Sequence, residues 1–212
     1  MTADPSIRRE PRPGDLERIV SMHRRIYRRE NGVDERFVEM VSAAVERVAQ
    51  RNFPGPSERL WIVELDGAFS GSLALTDEGD GEAMVRWFVL DPSLRGQGLG
   101  RRLLGELLAE AEREGYSRVC LETFSELRAA AHLYLDHGFE VVSADTAPRW
   151  GRDEITYQRY ELELGGGRPG ETRALSLAGA QSTSTTAPPR RGSPPPLSVP
   201  SVSRATAWTP PK

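Results

Sequence analysis

The residues richest in chemistry lie in one run, Arg95-Gly96-Gln97-Gly98-Leu99-Gly100-Arg101. An extended stretch, Ala83 to Leu90, precedes it, and Asp91-Pro92 ends that strand because proline has no N–H for a ladder. An apolar stripe at helical spacing follows: Leu99, Leu103, Leu104, Leu107, Leu108 and Ala111. Glycines let the backbone take conformations closed to other residues and come close to a ligand. The first N–H groups of the helix lack intrahelical acceptors, and the helix dipole favours negative charge at that point. With Arg95, Arg101 and Arg102 around them, such a loop suits a pyrophosphate. The Gly-x-Gly-x-Gly spacing departs from the dinucleotide fingerprint G-x-G-x-x-G, and it falls in mid-chain after hairpin strands. No Gly-Lys-Ser/Thr phosphate loop is present. A plain strand-to-helix turn would not need three glycines and three arginines.

The elements that must carry this loop are readable from changes in period. Asp15 after Pro13-Gly14 is placed to cap a helix carrying Ile19, Met22, His23, Ile26 and Tyr27, and a second helix opens near Asp34 with Val38, Val41, Val45 and Val48 on one face. The period then falls to two. Leu60–Leu65 and Ala68–Leu75 flank Asp66-Gly67, a two-residue hairpin signal, and a looser turn at Glu78–Gly81 leads into Ala83–Leu90. Beyond the long helix, which Gly115 can close, come a strand at Ser117–Thr123 and a helix from about Glu126 to His137, stopped by Gly138. Strands at Phe139–Ser143 and Ile155–Leu164 end the pattern, with a weakly signalled strand near Ile7. This order describes a mixed α/β domain around one central sheet.

Composition narrows the classes. Nine of the 16 prolines fall in the last 48 residues, among Ser/Thr runs and few large apolar residues, so a disordered tail is expected from Gly165 to Lys212. Trp208 is the one candidate anchor in it. Six basic residues against Glu171 give that tail +5, which leaves −8 on residues 1–164 out of the overall −3. A domain this acidic repels phosphate backbones, so no nucleic-acid partner is expected. No apolar run reaches the ~20 residues of a membrane span, and Met1–Arg12 lacks the apolar core of a leader, so a cytoplasmic location is expected. Cys120 is the only cysteine and reads as a core residue; with three scattered histidines, no metal site is expected.

The run Phe88-Val89-Leu90-Asp91-Pro92-Ser93-Leu94-Arg95-Gly96-Gln97-Gly98-Leu99-Gly100 resembles the acetyl-CoA motif of the GNAT N-acetyltransferases. A second motif of that family follows at the right distance, Ala130-Ala131-His132-Leu133-Tyr134-Leu135-Asp136-His137-Gly138-Phe139. The resemblance covers residues 6 to 164. The stretch Tyr27-x-x-Glu30-x-Gly32 with Asp34-Glu35-Arg36-Phe37 is similar to GNAT modules fused behind MarR-like regulators, although nothing here resembles the regulator domain.

The resemblance implies a mainly antiparallel sheet with a splayed strand pair and flanking helices. It implies acetyl-CoA as cosubstrate, an amine as acceptor and a bacterial enzyme, and dimers are common among such proteins. Phe88 and Val89 would pair with the pantetheine arm from a bulged strand, which also offers an N–H to the thioester oxygen. Arg95, Gly96, Gln97, Gly98, Leu99, Gly100 and Arg101 would hold the pyrophosphate, and Tyr134 would protonate the departing thiolate. Similar modules carry an asparagine after the fifth strand, where this chain has Phe124 and Ser125; Ser125 is the candidate substitute, or a helix cap. Glu122 and Glu82 are the candidate general bases. Trp61, Trp87 and Trp150 are candidates to line an acceptor pocket. The alternative reading is a module that senses acyl-CoA without turnover.

Overall fold

The apolar periods become seven strands and four helices in a computed structural model that describes residues 4–165. Beyond Gly165, the tail expected to be disordered, with Trp208, lies outside the described residues. Ser6–Arg8 (β1) pairs antiparallel with Arg59–Leu65 (β2), so the weakly signalled first strand is present as an edge. Two helices intervene, Asp15–Asn31 (α1) and Glu35–Ala49 (α2). The chain then runs antiparallel through β2, Ala68–Gly79 (β3) and Glu82–Leu90 (β4). A 3-10 turn at Pro92–Leu94 and the helix Leu99–Arg113 (α3) carry it over to Arg118–Phe124 (β5), which lies parallel to β4. The helix Arg128–Asp136 (α4) and the hairpin Glu140–Arg149 (β6) and Arg152–Glu163 (β7) complete a sheet in the order β1-β2-β3-β4-β5-β7-β6.

Alternation along the strands divides the core in two. Trp61, Val63, Leu73, Leu75, Val119 and Leu121 face α3 and α4, against Leu103, Leu104 and Leu107. Leu60, Ile62, Ala74, Trp87, Phe124 and Ile155 face α1 and α2, against Ile19, Phe37, Val41 and Val45. Burying a Leu side chain of this kind contributes about 2 kcal/mol relative to exposure, so both helical layers are tied to the sheet by several such side chains.

Some boundaries differ from the sequence reading. Gly14, in the left-handed region at φ 87°, takes the N-cap of α1, and Asp15 is its first helical residue. The reason is electrostatic: Asp15 is buried and accepts from Arg8 at 2.8 and 3.1 Å and from the Arg12 N–H at 2.7 Å. Asp34 does cap α2, accepting from the Arg36 N–H at 3.0 Å. The strand β6 runs on to Arg149, six residues past the expected end; as an edge strand exposed along most of its length it shows no apolar alternation.

Candidate active site

The parallel pairing of β4 with β5 covers only three positions, Glu82 with Arg118, Ala83 with Val119 and Met84 with Cys120. The cause of the divergence lies in β4. Register along β3 slips between Ser72 and Ala74, so Leu73 stands opposite both Trp87 and Phe88. Arg86 and Trp87 thereby point to one face in succession, Trp87 adopts φ 49°, and Ser72 Oγ donates to its carbonyl at 2.6 Å. A bulge of this kind bends its strand and increases local twist, here away from β5. Gly71 makes it possible: a Cβ there would lie 2.7 Å from Leu90 Cδ2 and 2.9 Å from the Val89 carbonyl.

The gap opens into a cavity of about 470 Å³. Phe88, Val89 and Leu90 of the bulged strand, Arg95, Gly96 and Gly100 of the loop, and Glu126 to Ala130, Leu133 and Tyr134 around α4 line it. So do Ile26, Tyr27, Glu30 and Asn31 at the end of α1. Because α1 and α4 pack on opposite faces of the sheet, the cavity passes between the two strands.

At the loop, Gly96 and Gly98 sit at φ 74° and 79°, and a Cβ on either would meet nothing within 4 Å. From Gly96 through Arg101 no backbone N–H makes a hydrogen bond among the described residues; the first that does is Arg102, to the Gly98 carbonyl at 3.0 Å. A helix N-terminus with its donors unspent suits an anion. The arginines are committed elsewhere. Arg95 donates to the Leu90 carbonyl at 3.1 Å and to Glu30 at 2.7 Å, and its own N–H goes to Pro92. Arg101 pairs with Asp136, and Arg102 with Glu106 at 3.8 Å. Backbone, more than side chains, therefore forms the anion cradle. The Gln97 side chain closes the loop onto the Ser93 carbonyl at 2.8 Å, and buried Leu99 anchors the first turn in the α3-side core.

Tyr134 is buried on α4, held by ring contacts to Phe139 at 6.0 Å and Tyr160 at 5.8 Å. Its hydroxyl makes no hydrogen bond among the described residues and is not one of the buried polar atoms left without a partner, so it opens onto the cavity. Burial, with Tyr27 and Tyr160 nearby, pushes it well above the usual phenol range. It stays protonated at neutral pH, as a proton donor must.

The two carboxylate candidates part company. Glu82 lies at the paired end, bonded by Arg159 at 2.8 Å and Cys120 at 3.2 Å with Arg118 at 3.5 Å. Burial pushes its carboxyl up, but those hydrogen bonds and charges together hold it below the ordinary range. Glu122 lies two residues past the last pairing, exposed, accepting from the Tyr157 hydroxyl at 2.9 Å with Arg159 at 3.8 Å. Neither lines the cavity. Ser125 does not either: its N–H goes to the Thr156 carbonyl at 2.9 Å and its hydroxyl to Glu126, and α4 begins after Leu127, so it caps nothing. Trp61 and Trp87 are core residues, and Trp150 joins an aromatic group with Phe37, Phe124 and Tyr157. Cys120 is fully buried, and among the described residues no cluster of metal-ligating side chains occurs. No helix among them is long and apolar enough to cross a membrane.

The α1 wall was missed as part of the site. Tyr27 falls on the apolar stripe of α1, so its period marks it as core; only the break of that stripe by Glu30 and Asn31 hinted at a second role.

A mixed sheet prised open beside a glycine-rich helix start defines a class of proteins built to hold a long anionic ligand across a split sheet. The acetyltransferase (GNAT) family model matches residues 19–139, more than half of the chain, and the chain belongs to that family. It is 30% identical over 103 residues to an amino-acid acetyltransferase of Shewanella oneidensis, a match covering 48% of this chain and 22% of that protein. The chain spans about half the length of the other curated relatives it matches. Among solved structures, an acetyltransferase from Streptococcus agalactiae shares the fold at TM-score 0.60 and 22% identity, over 76% of this chain and 98% of that one. YncA from Salmonella typhimurium, solved with its cofactor acetyl-CoA, does so at TM-score 0.56 and 21% identity, over 83% and 100%.

Proposed function

We propose that the domain over residues 6–164 is an acetyl-CoA-dependent N-acetyltransferase that moves an acetyl group to an amine of a small molecule or protein. The observation that carries this reading is the cavity: Gly96 and Gly100, from the run whose N–H groups are unspent, line it together with Tyr134. The residues present fit the cosubstrate. The loop offers donors to a pyrophosphate without a Cβ in the way, and the edge of the bulged strand at Phe88 and Val89 faces the space a pantetheine arm would fill.

Acetyl-CoA, when bound, supplies a thioester open to attack by an amine. Phe88 and Val89 orient it along the strand, and a bulge N–H directed at the thioester oxygen would contribute about 3 kcal/mol to the transition state. Glu122, past the split and reachable from solvent, takes the amine's proton directly or through water. Tyr134 gives its proton to the departing sulfur. Family membership and the free phenol favour turnover over an acyl-CoA sensor. The acidic domain suits a cationic amine, a polyamine or a basic protein N-terminus.

The test is release of free CoA from acetyl-CoA by the full chain across a panel of primary amines. Amine-dependent release that falls at least tenfold in Glu122→Gln, with acetyl-CoA affinity retained, supports the assignment. Binding of acetyl-CoA with no turnover on any amine would restore the sensor reading.

A further inference from the structure

We propose that Tyr27 is a second proton donor to the departing sulfur, reaching it from the opposite face of the sheet to Tyr134. The inference rests on the acetyl-CoA reading above and adds a catalytic residue to it.

The placement follows from the fold. Helix α1 packs through Met22 and Ile26 against Val89, on one face of the bulged strand. Helix α4 puts Tyr134 among the side chains that cover the other face. Only where β4 and β5 diverge can groups from both faces share a space, and both rings line the one cavity there. Each ring is fixed. His23 stacks on Tyr27 at 5.4 Å with planes 7° apart, and Phe37 stacks at 4.8 Å. Each hydroxyl is nonetheless free: neither makes a hydrogen bond among the described residues. Neither hydroxyl is one of the buried polar atoms left without a partner, and Tyr27 is half-buried, so both open onto the cavity. Two phenols that no protein group engages, opening onto one cavity, can both donate to an acceptor that a ligand brings.

The surroundings of the two differ. Glu30 and Arg95 are the charges beside Tyr27, Tyr27 itself and Tyr160 are the titratable neighbours of Tyr134, and Glu126 and Arg128 line the cavity further along. Burial pushes the Tyr27 hydroxyl up to about 12, with Arg95 pulling it down and Glu30 pushing it up. Burial and the neighbouring phenols of Tyr27 and Tyr160 push the Tyr134 hydroxyl up as well. Both remain protonated at neutral pH.

In the step itself, nitrogen forms its bond to the acyl carbon, and the C–S bond breaks with its electron pair left on sulfur. One phenol gives its O–H proton to that sulfur while the other donates a hydrogen bond to it. The amine's surplus proton leaves through the base, and the phenolate recovers a proton from solvent, so CoA departs as the thiol. A thiolate is large and diffuse enough to take two donors at once.

The experiment needs no acceptor. CoA and acetyl-CoA are titrated calorimetrically into the full chain, Tyr27→Phe, Tyr134→Phe and the double variant, from neutral to alkaline pH. In the native chain CoA should gain on acetyl-CoA as pH rises, because both phenols favour the bound thiolate. Each single variant should lose about tenfold of that gain and the double variant all of it. Acetyl-CoA affinity within about twofold of native shows that the variants are folded. A Tyr27→Phe chain whose preference matches the native one at every pH overturns the proposal and leaves the acetyl-CoA reading standing. Failure of the native chain to bind either form overturns both.

Discussion

The same two strands, β4 and β5, behave in opposite ways at their two ends. At the closed end Glu82, Arg118, Arg159, Glu161 and Glu163 are linked by ion pairs of 2.7 to 3.6 Å, and every charged group there has a protein partner. At the open end the bulge at Trp87 and Phe88 parts the strands, and a run of backbone donors and two phenols have none among the described residues. The polar satisfaction that makes the first end a brace is withheld at the second. Unspent donors beside a cavity are what a ligand can use, and the closed end supplies the rigidity that keeps them apart.

The contrast can be broken from either side. The largest expected effect is on pH stability at the open end's wall. His23 is buried behind Tyr27, with Nδ1 2.8 Å from the Ile19 carbonyl, and burial, opposed by that hydrogen bond, brings it to about 4 from an ordinary 6.5. On acidification the unfolded chain takes up this proton first. Stability is therefore full above about 6.5 and falls through the window down to about 4, by about 3 kcal/mol in all. Denaturant titrations across that range should show the slope, and His23→Asn should flatten it; an unchanged slope would place the acid sensitivity elsewhere.

Next in size, Glu82→Gln should cost about 2 kcal/mol of stability, because Arg159 and Arg118 lose a shared partner. Acetyl-CoA affinity should stay within about twofold, since Glu82 lies at the paired end. Parallel loss of stability and affinity would mean that the two ends are not independent. A smaller effect, about tenfold or somewhat more in kcat, is expected for Tyr134→Phe, with KM for acetyl-CoA unchanged. A KM effect alone would make Tyr134 a packing residue.

Much of this was legible in the residues. The glycine loop announces itself because three glycines among arginines before a leucine stripe have little other use, and Gly98 does open α3. Alternation gave β2, β3 and β4, whose two faces are both buried by helices. Long-range pairing was not legible. Asp15 looked like a cap because its partner Arg8 sits on another element. Glu82 looked as free as Glu122 until β7 brought Arg159 against it. Tyr27 has the spacing of a core residue, and only the splitting of the sheet turns its hydroxyl into a cavity group. Likewise β6, lacking a covered face, has no period to betray its length.

The central claim is that backbone donors at Gly96 to Arg101 hold the anionic part of acetyl-CoA. Thermal unfolding of the full chain with acetyl-CoA, with CoA and with ATP as control tests it most directly, beside Gly98→Asn and Gly98→Asp. Both variants tolerate a left-handed backbone, but only the second places a negative charge at the cradle. At a hundred times its dissociation constant, acetyl-CoA should stabilise the native chain by about 2.7 kcal/mol. Gly98→Asn should keep most of that shift and Gly98→Asp should lose it. A native chain that acetyl-CoA does not stabilise, or a Gly98→Asp chain stabilised as much as the native one, would contradict the account.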